Sequence, residues 1–173
     1  IETHTTTDGV LFDRDAKYFY YTHGPLARVE TGRNRVQGTD YAYTMQGWVK
    51  GTNSSTLMAN RDMGKDGIAG NAYMSMQPDI HRWVARDEFS YMLNYFDGDY
   101  SSIKNSVGNW QLAIGSTGIY TPALFNGNIR LSAINIKKFD TLMVYAYRYD
   151  QLNRITQMRA FDNADIANNT WST

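Results

Sequence analysis

Cysteine is absent from this chain, which excludes thiolate nucleophiles, cysteine zinc sites and disulfide staples. Neither charge sign is in excess: 17 Lys and Arg balance 17 Asp and Glu, so the basic footprint of a nucleic-acid binder is missing. No apolar run approaches the length of a membrane-spanning helix. Histidine is sparse, and His4, His23 and His81 are too scattered to form a metal motif. There is no Gly-x-Ser-x-Gly elbow, phosphate loop or dinucleotide fingerprint. Asp97-Gly98-Asp99 and Asp162-Asn163-Ala164-Asp165 lack EF-hand spacing and read as turn chemistry. Asn53-Ser54-Ser55 and Asn168-Asn169-Thr170 match the glycosylation sequon at about chance frequency. The expectation is a chain with no catalytic residues, no cofactor and no metal.

Aliphatic side chains are scarce too: Leu, Ile and Val number 27 of the 173 residues. What the chain has instead is 13 Tyr, 7 Phe and 4 Trp. Aromatic rings must therefore supply much of the burial, and aromatic residues favour strands. No helix is expected beyond one turn at Asn163 to Asn169.

Three stretches share one layout: Tyr18-Phe19-Tyr20 through Gly24 to Leu26, Tyr41-Ala42-Tyr43 through Gly47 to Val49, and Tyr147-Arg148-Tyr149 through Asn153 to Ile155. Alternate tyrosines put their rings on one face of a strand. Asp150 suits the first position of a type I turn, where its carboxylate accepts a backbone N–H. Gly24, Gly47 and Asn153 fall three residues after each turn opens, where the chain needs positive φ. Leu26, Val49 and Ile155 then begin the return strand. The pattern predicts an all-β fold of antiparallel hairpins, with units near 18–31, 41–51, 89–100, 124–132 and 145–158. The unit at 89–100 rests on alternating Phe89, Tyr91, Leu93 and Tyr95, and the one at 124–132 on an Asn126-Gly127 hairpin turn. Irregular insertions are expected near 52–79 and 101–122, long enough to need a function or a packing partner. Ile1 falls in the register of a return strand, which predicts that residues 1–173 are one continuous segment of a longer array.

At these residues the chain resembles the RHS/YD-repeat family, whose consensus is Tyr-Asp-x-x-Gly-Arg-Leu. Tyr149-Asp150-Gln151-Leu152-Asn153-Arg154-Ile155 departs from it only at Asn153 and Ile155. Tyr43 to Val49 keeps the Tyr and the Gly, and Tyr20 to Leu26 keeps Tyr, Gly and Leu. The linking segments resemble the very large secreted RHS-repeat proteins of bacteria. The resemblance implies hairpins pairing edge to edge into a spiralling β-sheet shell, secreted or held at the cell surface. Its partners would be the flanking repeats of the same polypeptide and an enclosed C-terminal cargo such as a toxin. Relatives that release cargo cut themselves at an Asp-Pro-x-Gly motif; no Asp-Pro occurs here. The expected function is therefore a non-enzymatic wall segment. The alternative is a cell-surface binding module that uses exposed Tyr and Trp against a glycan or protein.

Overall fold

Strand-forming residues dominate wherever the chain alternates, and all the regular structure follows from them. A computed structural model describes residues 1–54, 56–57, 61–68, 81–102, 110, 121–139, 141–165 and 170–172, with the side chains of 162–165 and 170–172 excepted. Ten strands run in chain order: β1 (Glu2–Thr5), β2 (Asp13–Tyr20), β3 (Leu26–Thr31), β4 (Gln37–Tyr43), β5 (Val49–Thr52), β6 (Phe89–Asn94), β7 (Leu131–Ile136), β8 (Thr141–Tyr149), β9 (Ile155–Asp165) and β10 (Thr170–Ser172). Each pairs antiparallel with the next, giving one open ten-stranded meander in the order β1 to β10. The protein is all-β: among the described residues the only helical element is a 3-10 turn at Lys137–Phe139.

Three hairpins are built alike. Tyr21, Thr44 and Asp150 each accept the N–H of the residue three positions on, Gly24, Gly47 and Asn153, at 2.9, 2.9 and 3.0 Å. Each also donates its own N–H to the carbonyl of the fourth residue on, Pro25, Trp48 or Arg154. The closing residues Gly24, Gly47 and Asn153 hold φ of 112°, 84° and 61°. One residue past the start of each return strand, the register slips by one, leaving Ala27, Lys50 and Thr156 as bulge residues. Because the strands alternate in direction, these three turns lie along the same rim of the sheet.

The two faces differ sharply. One carries a cross-strand row Ala42, Gly51, Met92, Ala133, Val144 and Phe161. All the side chains of this row are buried, and the core gathers here with Trp110 on top of it and Met63 and Tyr100 alongside. Gly51 is required by close approach, since a Cβ there would run into the Tyr91 carbonyl and the Trp110 ring. The insertions thus supply the lid of the core. Residues 61–68 and 81–88 also cap this face beside β3 and β4, with a parallel bridge between Gln37 and Ala85.

Two expected hairpin units are placed differently. The 89–100 stretch contributes a single strand, β6, whose partners are β5 and, across a long connection, β7. Asp97-Gly98 turns the chain after β6, and the described residues 99–102 start no return strand, although Gly98 holds φ 77°. Residues 121–125, the described stretch just before Asn126-Gly127, form no strand; Asn126 and Asn128 instead donate their side-chain amides to Asn153 Oδ1 at 2.8 and 2.9 Å. The β7–β8 hairpin arises where no Gly or Asn marks a turn, and the Lys137–Phe139 3-10 turn makes the connection. Most of the expected insertion at 101–122, much of that at 52–79, and residues 166–169 of the expected helical turn and the second sequon lie outside the described residues. Residues 163–165 of that turn continue β9.

Candidate functional site

The face opposite the core is a field of tyrosines. Cross-strand registers align Tyr41, Thr52, Tyr91, Ile134 and Met143 in one row and Leu93, Ser132, Tyr145 and Ala160 in the next. Tyr18, Tyr43, Tyr147 and Tyr149 share this face, and each ring of the set is half-buried. From β3 to β8 the registers place no Asp, Glu, Lys or Arg on this side. The hydroxyls are anchored locally. Tyr149 donates to the Ile129 carbonyl at 2.8 Å, and the Tyr147 hydroxyl lies 3.2 Å from Ser132 Oγ. Tyr21, from the first turn, donates to the Tyr41 carbonyl at 2.6 Å and meets Tyr43 edge-on. Burial pushes the phenols of Tyr41, Tyr43 and Tyr149 above their ordinary value, so they remain neutral donors. A shallow pocket of about 260 Å³ opens beside Tyr147 and Tyr149, closed by Pro122, Leu124 and Arg148.

The residues marked by the sequence thus fall into two places. Tyr18, Tyr41, Tyr43, Tyr147 and Tyr149 lie on the tyrosine face, with Tyr20 more exposed at the end of β2. Gly24, Gly47, Asp150, Asn153 and Arg154 occupy the rim, and Leu26, Val49 and Ile155 open the return strands. Asp150 works as turn chemistry demands. Its carboxylate accepts the N–H groups of Leu152 and Arg154 at 2.9 Å each and pairs with the Arg154 guanidinium at 2.7 Å, which holds the acid below its usual range.

Sequence reasoning missed a dense cluster of charge among the described residues. Arg28, in β3, is buried on the core side and pairs with Asp40, with Asp66 at 2.7 Å and with Glu30 at 3.3 Å. Asp62 accepts the backbone N–H groups of Gly64, Lys65 and Asp66. Asp87 accepts the Gln37 amide at 3.4 Å, and among the described residues its Oδ2, like that of Asp66, is buried without a partner. His81 Nδ1 stands 3.3 Å from Glu30, and burial and the Arg28 charge hold its pKa down. Three carboxylates, Glu30, Asp40 and Asp66, therefore pair with the Arg28 guanidinium, with Asp62 and Asp87 close enough to bear on their charge. Burial raises the pKa of Asp62 and Asp66, pushes Asp40 up to about 7, and, with the neighbouring carboxylates, pushes Asp87 up to about 8. The available signal was glycine: Gly38 interrupts β4, and a Cβ there or at Gly64 would collide with the Arg28 guanidinium.

Chemically, this cluster is a clamp that docks residues 61–68 and 81–88 onto β3 and β4. Among the described residues no group of three His, Asp or Glu is arranged to hold a metal, and no helix is long and apolar enough to cross a membrane. No family model matches the chain, and no curated protein matches it significantly.

Proposed function

We propose that this chain is a non-enzymatic structural segment of an RHS/YD-repeat shell, secreted or displayed at a bacterial surface. The observation that carries the reading is the uninterrupted meander with three hairpins of identical turn and bulge, whose first and last strands each have one unpaired edge among the described residues. Such an array extends by adding strands at its edges, and each unit buries its core through its neighbours. In this reading the flanking repeats continue the sheet at β1 and beyond β10, and the closed wall holds a cargo polypeptide. Electron microscopy of the longer polypeptide that carries this sequence tests it directly. A hollow shell with residues 1–173 in its wall is the expected image; a compact domain standing apart from any array would overturn it.

A second reading draws on the tyrosine face, which is broad, uncharged and half-exposed. Interface centres are depleted of charge and rich in Tyr, and aromatic faces stack on sugar rings. As a binding module the chain would engage a glycan or protein through Tyr91 and Tyr145. Retention on a glycan or cell surface that falls when Tyr91→Ala and Tyr145→Ala are introduced would favour this reading over the shell.

A further inference from the structure

A second buried charge has an unusual set of neighbours. The Lys50 ammonium is fully buried and donates to Asn94 Oδ1 at 2.8 Å and to Asp99 Oδ1 at 2.7 Å. Asn94 and Asp99 are themselves more than nine-tenths buried. Three elements bring the groups together. Lys50 is the bulge residue of β5, Asn94 ends the adjacent strand β6, and Asp99 lies in the turn that follows. Each is held from outside. Asp99 Oδ2 accepts the Tyr95 N–H at 2.9 Å, the Tyr95 hydroxyl donates to the Val49 carbonyl at 2.8 Å, and the Trp48 ring packs on Tyr95 at 5.0 Å. An amine, a carboxamide and a carboxylic acid are thus fixed against one another in an aromatic, water-excluded setting.

We propose that Lys50 and Asn94 become joined by an intramolecular isopeptide bond, with Asp99 as the proton carrier. The ion pair first collapses: Lys50 gives one proton to Asp99, leaving a neutral amine beside a neutral acid. Burial favours this, because it pulls the pKa of the Lys50 ammonium down. The amine then attacks Asn94 Cγ while the Asp99 carboxyl polarises the carbonyl oxygen. Nζ loses a proton through Asp99 to the departing amide nitrogen, the Cγ–Nδ2 bond breaks, and ammonia leaves. One amide replaces another, Asp99 ends as the neutral acid, and no oxidant, nucleotide or other reactant enters. Holding the reacting groups together supplies the acceleration.

The bond falls where the sheet is thin. β5 and β6 are paired at only two positions, Gly51 with Met92 and Thr52 with Tyr91, on either side of the long insertion. A covalent tie from Lys50 to Asn94 closes that insertion as a loop and locks the seam, as a disulfide would in a chain with cysteine.

Intact mass spectrometry under denaturing conditions tests the proposal on the full chain after it has refolded to a β spectrum. The expected mass is that of the sequence less one ammonia, with tandem spectra joining the Lys50 and Asn94 peptides. Lys50→Arg and Asp99→Asn should restore the sequence mass, while Glu88→Gln, on the exposed rim, should keep the loss. A wild-type chain at its full sequence mass overturns the proposal whether or not the variants fold. So does an ammonia loss mapped elsewhere, such as to a succinimide at Asn126-Gly127.

Discussion

Gly24 and Gly47 occupy the left-handed region with nothing within 4 Å of an added Cβ, so the obstacle to a larger residue there is the backbone alone. Gly24→Val or Gly47→Val should cost about 1–2 kcal/mol or more, read as a shift in a urea midpoint. Asn153 holds the same conformation but also receives the Asn126 and Asn128 amides. Asn153→Gly relieves the backbone and gives up those exposed bonds, so the two effects should nearly cancel, within about 1 kcal/mol. Gly38 is the opposite case: its φ is ordinary, and the Arg28 guanidinium occupies the space of a Cβ. Gly38→Ala should cost more than about 2 kcal/mol, because the arginine must leave carboxylates that then stay buried and unpaired. The turn glycines were legible in the sequence because their requirement is local, set by residues within five positions. Arg28 was not. Its partner Asp66 lies 38 positions away, and alternation alone reads Arg28 and Glu30 as a solvated face.

At the scale of elements, the sheet and its insertions are joined by protons. Asp40, with a folded pKa of about 7, and Asp87, at about 8, both sit well above the 3.8 of a free aspartate. Between those limits the folded chain binds protons that the unfolded chain has released. Stability from these groups is thus full below about pH 4 and is lost as pH rises to about 8, at up to about 1.4 kcal/mol per pH unit per group. Urea melts from pH 5 to 9 should show the midpoint falling, and Asp87→Asn should flatten the alkaline part of that fall. A midpoint that rises with pH would contradict the clamp. Hydrogen exchange should show residues 61–68 and 81–88 losing protection first. The strands themselves could be read where Tyr alternates. The β7–β8 hairpin could not, since Lys137-Lys138-Phe139-Asp140 offers neither Gly nor Asn and the connection is set by pairing of Leu131–Ile136 with β8. Nor could the return of β6 to β7, because the intervening residues hide the partner from any local pattern.

Among the described residues the molecule is a sheet with a core face, a half-exposed tyrosine face and two unpaired edges. The class all-β followed from composition and alternation; which face carries the core did not. Tyrosines alternate along the strands, yet the core gathers on the other face, because Trp110, Tyr100 and Met63 from the connecting segments cover its Ala, Gly and Met positions. The tyrosine side is left half-exposed. If the chain is one segment of a strand array, its edges should template association when it is produced alone. Multi-angle light scattering on residues 1–173, read across a concentration series, tests this most directly. The array account predicts concentration-dependent oligomers that disappear when neighbouring repeats are present on the same polypeptide. A monodisperse monomer with a cooperative melt would contradict it and make the chain a closed domain in its own right.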